Sequence, residues 1–222
     1  TVARELIKAA GLPIAAPSAN LSGRPSPTTA AAVMADLAGR IDAVIDGGPC
    51  VIGVESTVVD CTTPVPTLLR PGGITLEMLR DTLGEVDIDP ALAEASAVPR
   101  SPGMKYTHYA PAAPLTLIEG CPEVAARHTA AIVSAAAVSG QKVGAIVSAE
   151  TASLLPPSVA VAVYGRRNSS AEAAANIYNA LRFFDHANVD VIYAEGLAEE
   201  GLGLAVMNRL RKAAGYRIIR AE

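Results

Sequence analysis

A stretch near the start of the chain concentrates small polar side chains: Ser18, Asn20, Ser22, Ser26 and Thr28, punctuated by Pro17, Gly23, Pro25 and Pro27. A loop at the end of a buried strand that offers hydroxyls and an amide, and that runs into a helix N-terminus, can bind an anion or a nucleotide with little formal charge. The same residues are the commonest turn formers, so a capped turn is the competing reading. A second concentration lies at 101–111, where Lys105, Tyr106, His108 and Tyr109 stand among Pro102, Gly103 and Pro111. A passive spacer would carry mostly Gly, Ser, Pro and charge, so this stretch reads as a docking segment. A third runs through Gly196, Gly201 and Gly203 into an apolar helix. It lacks the Gly-Lys-Ser or Gly-Lys-Thr ending of a phosphate loop, and Glu199 and Glu200 would repel phosphate, which leaves a lid-supporting or regulatory role.

The elements that must hold these groups are legible from periodicity. Val2, Leu6, Ala9 and Ala10 recur at helical spacing and stop at Gly11, which predicts a short helix. The apolar run 12–16 predicts a strand feeding the serine loop, and Thr28 or Thr29 caps a helix running to about Gly39. Residues 43–46, 56–60 and 67–70 predict strands, and Thr75 caps a helix to about Leu83. From 87 to 114 periodicity fades and prolines recur, which predicts a linker. Beyond it, strands at 115–118, 143–147, 159–164 and 189–194 alternate with helices at 124–139, near 151, from a Ser169/Glu172 capping box to about 187, and at 204–214 closed by Gly215. That alternation implies a parallel, doubly wound sheet.

The chain has 222 residues, a length that suits two modest domains. Half of it is hydrophobic, 18% is charged and mean hydropathy is +0.32, which excludes a disordered polar chain. Only 4% is aromatic, with no Trp, so the core is aliphatic and a stacking platform for single-stranded nucleic acid is not expected. A net charge of −4 lacks the basic footprint of a duplex binder. The apolar runs are too short to span a bilayer. Cys50, Cys61 and Cys121 are odd in number with no paired spacing, which speaks against a disulfide framework or a four-ligand zinc site and fits a reducing, cytoplasmic location. The chain opens on Thr1 rather than Met, without a signal-like segment, and reads as a fragment.

Taken together and in order, the Ser18 to Thr28 loop, Gly53-Val54-Glu55-Ser56-Thr57-Val58-Val59-Asp60, Leu69-Arg70-Pro71-Gly72 and the segment Pro102-Gly103-Met104-Lys105-Tyr106-Thr107-His108-Tyr109-Ala110-Pro111 resemble the Sua5/YrdC/YwlC family, in its longer Sua5-type form. The resemblance covers essentially the whole chain. It implies an α/β architecture: the C-terminal part of a YrdC-like domain over 1–86, a linker over 87–114 that docks over the active site, and a small Rossmann-like parallel-sheet Sua5 domain over 115–222.

The activity implied is that of a nucleotidyltransferase that joins L-threonine, bicarbonate or CO2 and ATP into threonylcarbamoyl-adenylate with release of pyrophosphate. The product serves the threonylcarbamoyladenosine modification of tRNAs reading ANN codons. The resemblance places ATP on Ser18, Ser26 and Arg70, with Asn20 as a supporting amide and Tyr106 reaching from the linker. It places threonine on the backbone of Ala16 and the hydroxyl of Ser56. His108 and Tyr109 are candidate lid residues, no catalytic base is identified, no protein metal site is expected, and Mg2+ is expected with ATP. A guanidinium such as that of Arg70 suits phosphate because its donors form a fixed fork.

The family's first domain begins well before Thr1 with basic motifs that hold the triphosphate. The chain is therefore expected to carry about half of the catalytic domain and not to turn over by itself. Implied partners are the small-molecule substrates, tRNA and downstream threonylcarbamoyl-transferase proteins, with no membrane. Two other functions compete: a tRNA or double-stranded-RNA-binding module, against which the charge of −4 counts, and a YrdC-like carbamoyl transferase, against which the Sua5-type linker and tail count.

Overall fold

The computed structural model of the chain describes residues 2–92, 100–101 and 109–222. Helix α1 (Val2–Ala10) forms as its spacing predicts, and Gly11 closes it. Helix α2 (Ala30–Leu37) starts at Thr29, whose hydroxyl accepts the amide of Ala32 at 3.2 Å. The strands predicted at 12–16 and 43–46 are absent. Neither segment has regular secondary structure, and Leu12, Ile14 and Ile45 are exposed. A strand needs a neighbouring ladder for its backbone, and among the described residues none lies beside either segment.

A small three-stranded sheet follows. Strand β1 (Val58–Asp60) pairs antiparallel with β2 (Thr67–Arg70), and β2 pairs in parallel with β3 (Asp87–Ile88). Strand β1 starts two residues later than predicted, because Ser56 and Thr57 are bonded to Arg70 and to the 71–74 turn. The segment read as linker from 87 therefore begins as a paired strand. Leu68, Val86 and Leu92 form a satellite core beneath it, onto which Leu76 and Leu79 of helix α3 (Leu76–Leu83) pack.

The C-terminal domain carries a five-stranded, all-parallel sheet in the order β6-β5-β7-β4-β8. Its strands are β4 (Leu115–Glu119), β5 (Val143–Ser148), β6 (Ala160–Gly165), β7 (Val191–Glu195) and β8 (Ile218–Arg220). The helices are α4 (Pro122–Val138), α5 (Ala149–Ala152), α6 (Ser170–Phe183) and α7 (Gly203–Ala213). The two faces of the sheet explain the apolar run of β5. Val143, Ala145 and Val147 face one core with Val133 of α4, while Ile146 faces the other with Ile177 and Leu181 of α6 and Val206 and Leu210 of α7. The short edge strand β8 carries no periodicity of its own and was not expected.

Helix α6 begins as predicted at Ser169, whose hydroxyl accepts the amide of Glu172 at 3.3 Å. The reciprocal half of the capping box is not made. The Glu172 carboxylate instead takes the backbone amide and guanidinium of Arg166 at 2.5 to 2.8 Å. No helix among the described residues is long and apolar enough to cross a membrane. All three cysteines are exposed thiols.

Candidate active site

The serine loop, the segment leading to β1 and helix α6 wall an open cleft of about 440 Å³, with Ser18, Ser26, Thr28, Gly53, Glu55 and Tyr178 among its lining residues. Two ionic knots set its shape. The first is on Asp36 of α2, which is buried and accepts the amide of Leu21 at 3.2 Å, Arg24 at 3.0 Å and Arg182 of α6 at 2.7 and 3.1 Å. Arg182 also donates to the Pro25 carbonyl at 2.5 Å. The Arg182 guanidinium, opposed by burial and helped by Arg24, holds the Asp36 carboxyl at about 2. The serine loop is thereby tied to the C-terminal domain. Thr28 adds a further tie, its hydroxyl donating to Asn179 Oδ1 at 3.0 Å.

The second knot is on Glu55. Its Oε1 accepts the hydroxyls of Ser26 at 2.9 Å, Tyr109 at 3.1 Å and Tyr178 at 2.6 Å. Its Oε2 accepts Tyr178 at 2.6 Å and the Nε of Arg209 at 3.0 Å. Arg209 is 1% exposed and spends its other donors on Asn208 Oδ1 at 2.9 Å and the Pro71 carbonyl at 3.1 Å. Burial opposes ionisation of Glu55, but the Arg209 charge and the hydroxyl donors outweigh it and hold its carboxyl at about 2. Burial, and next the neighbouring Glu55 charge, raises the Tyr109 hydroxyl. Burial raises that of Tyr178 as well, so both phenols stay protonated donors. The two rings stack at 5.1 Å, and Tyr109 adopts a left-handed φ of 68°, a conformation that a bulky residue holds only when its surroundings fix it.

Close backbone approach completes the wall. Gly53 has φ +84°, and a Cβ there would stand 2.2 Å from the Ala174 carbonyl of α6. Gly53→Ala is expected to lower stability by roughly 2 kcal/mol and to push 50–55 off α6, read from urea midpoints and amide exchange. An unchanged midpoint would refute this contact.

Of the residues singled out in the sequence, the structure brings Ser18 and Ser26 to one cleft. It also joins Ser56 to Arg70: the Ser56 carbonyl accepts Nε at 3.1 Å and Nη2 at 2.9 Å, and its Oγ accepts Nη2 at 3.4 Å. The Asn20 amide is turned inward on its own loop, donating to the carbonyls of Leu21 and Arg24. Ala16 lies exposed at the entrance to that loop. Tyr109 is docked on Glu55. Tyr106 and His108 lie outside the described residues. Glu55 stood inside a quoted motif without a role, and Tyr178, Arg182, Arg209 and Asp36 were not singled out. Arg209 had a weak signal: it follows the apolar run Leu204 to Met207 and precedes Leu210, although Asn208, Arg211 and Lys212 beside it blur the pattern. Among the described residues no group of three or more His, Cys, Asp or Glu could hold a metal ion.

Residues 74–215 match the family described as threonylcarbamoyl-AMP synthase, C-terminal domain, and residues 1–72 match the one described as telomere recombination, the Sua5, YciO and YrdC group. The chain belongs to the Sua5 family. The threonylcarbamoyl-AMP synthase of Bacillus subtilis strain 168 is 50% identical over 219 residues, covering 99% of this chain and 62% of that protein. The synthase of Pyrococcus abyssi is 47% identical over 220 residues, covering 99% and 63%. The crystal structure of P. abyssi Sua5 complexed with L-threonine superposes with a TM-score of 0.88 at 46% identity, covering 100% of this chain and 63% of that one. The chain thus spans somewhat under two thirds of these Sua5 relatives.

Proposed function

We propose that this chain is the greater part of a cytoplasmic L-threonylcarbamoyladenylate synthase working in tRNA modification. The observation that supports the reading is that Ser18, Ser26 and Glu55 border one cleft and that Ser56, bonded to Arg70, is the next residue after Glu55. In the reaction, the amine of threonine attacks CO2, loses a proton and becomes a carbamate. A carbamate oxygen then attacks the α-phosphorus of ATP, and pyrophosphate leaves. This chemistry calls for positioning and charge neutralisation rather than for a covalent nucleophile.

The hydroxyls of Ser18 and Ser26 would bond the nucleotide, with Tyr106 closing over it. Arg70 would turn its fork from the Ser56 carbonyl toward phosphate oxygens. The Ala16 backbone and the Ser56 hydroxyl would take threonine, and Asn20 would brace the loop from within. His108 and Tyr109 would secure the lid over the filled site. Magnesium would enter on the phosphates of ATP, since the described residues offer no carboxylate cage. Glu55, held ionised by Arg209, is a poor proton acceptor and is not assigned as a base. The chain would divide into 1–86, 87–114 and 115–222, with the first residues of the middle segment built onto the first domain through β3 and Leu92. The exposed apolar side chains of Leu6, Ile7, Leu12 and Ile14 would be covered by the remaining part of the first domain. The product, an activated carbamoyl adenylate, would be consumed by transferase proteins acting on tRNA.

The test is pyrophosphate release from Mg-ATP by a polypeptide spanning the relatives' full length, compared with this chain. Release that requires both L-threonine and bicarbonate is expected of the longer protein, and none of the 222-residue chain. Release indifferent to threonine would move the reading to another adenylating or carbamoyl-transfer reaction.

A further inference from the structure

The carboxylate of Glu55 joins its own segment to four others. Ser26 belongs to the serine loop, Glu55 adjoins Ser56, Tyr109 ends the docking segment, and Tyr178 and Arg209 come from α6 and α7. Arg209 reaches further still, to the carbonyl of Pro71, the neighbour of Arg70. Ser26, Ser56 and Arg70, three of the side chains proposed to hold substrate, are therefore bonded to Glu55 or stand next in the chain to a group held by the Arg209–Glu55 pair. Helix α6 repeats the pattern on one face. Ala174 meets Gly53, Tyr178 meets Glu55, Asn179 meets Thr28 and Arg182 meets Asp36, the i, i+4, i+5, i+8 spacing of one helical face.

Charge makes the pairing more than a brace. A bare carboxylate beside Ser26 would repel a triphosphate held on the same loop. Arg209 cancels that charge from the far side of Glu55, and its 1% exposure leaves it no other outlet. We infer that Tyr178 and Arg209 of the C-terminal domain are positioning residues for the substrate loops of the first domain, acting through the carboxylate of Glu55. What those loops hold rests on the synthase reading. The coupling itself does not.

Two mild variants test it, Tyr178→Phe, which keeps the ring, and Glu55→Gln, which keeps the shape. In this chain each is expected to raise amide hydrogen exchange at least tenfold at 18–28 and 53–57, while β4, β5 and β7 exchange as in the parent. The double variant is expected to do no more than the stronger single one, because both remove the same link. In a protein of full relative length, each is expected to raise KM for ATP or threonine at least tenfold with kcat within about threefold, a split that a general loss of folding would not produce. Arg209→Gln is expected to weaken ATP more than threonine, and adding Glu55→Gln to recover part of that loss by removing the uncancelled charge. Unchanged exchange in both segments, additive effects, or an unchanged KM in an active protein would each overturn the inference. If the parent released no pyrophosphate while exchange responded as expected, the synthase reading would fall and the coupling would stand.

Discussion

Replacing Arg209 by methionine is expected to lower the urea-unfolding free energy at neutral pH by about 3–5 kcal/mol, the usual result of removing one partner of a buried ion pair. Arg209 is 1% exposed and is shut off from water, while its partner Glu55, 18% exposed, reaches it only through the cleft. Methionine is unbranched and close to the length of the arginine stem, so the cavity left is small. The loss comes instead from what is stranded: the Glu55 carboxylate without its counter-charge, and the Pro71 carbonyl and Asn208 Oδ1 without their donors. Arg209→Lys is expected to fall between, since an ammonium keeps the charge but cannot serve Glu55 and Pro71 at once. The decisive comparison is Arg209→Met with Glu55→Gln in the same chain. A neutral amide at 55 removes the orphaned charge, and the double variant is expected to be more stable than Arg209→Met alone. A double variant less stable than either single one would mean that packing, not charge, is what Arg209 supplies.

The same residues show what the sequence could and could not convey. The C-terminal sheet was legible because each central strand is buried on both faces and each helix carries one apolar stripe, so local pattern and tertiary role coincide. Residues 12–16 and 43–46 have the apolar content of strands, but a strand is defined by its neighbours, and the pattern of one segment does not report whether a partner lies beside it. The 87–92 stretch misled in the opposite sense, since Pro90 within it and the prolines that follow hid a two-residue ladder and the buried Leu92. In the site, Ser18, Ser26, Ser56 and Arg70 lie in contiguous motifs and could be picked out. The network that fixes them could not, because Glu55 meets Tyr178 and Arg209 across separations of 123 and 154 residues. Nothing local to Asp36 pointed to Arg182 either, and only the fold brings α2 against α6.

Acid is expected to loosen the contact between the two parts before it unfolds the C-terminal sheet. The two carboxylates that tie the first domain to α6 and α7 both sit at about 2 in the folded chain, against ordinary values of 4.5 for Glu55 and 3.8 for Asp36. A carboxyl whose value is depressed by folding contributes stability that is complete above its unfolded value and is lost as pH falls toward its folded one. The contribution is therefore constant from neutrality to about pH 5 and declines between there and pH 2. For Glu55 the change from 4.5 to about 2 corresponds to roughly 3 kcal/mol, at about 1.4 kcal/mol for each tenfold change in proton affinity. Tyr109 and Tyr178, both raised, do not titrate in that range, and Arg209 stays charged, so Glu55 alone sets the slope at its end of the interface. Protonation at Asp36 would release Arg24 and Arg182 together and free the serine loop. Amide exchange across 18–28 and 53–57, followed from pH 7 to pH 2.5 with correction for intrinsic rates, is expected to lose protection below pH 5 while β4, β5 and β7 retain theirs. Glu55→Gln is expected to begin less protected and to lose less on acidification. An acid dependence identical in parent and variant would show that Glu55 does not carry the coupling.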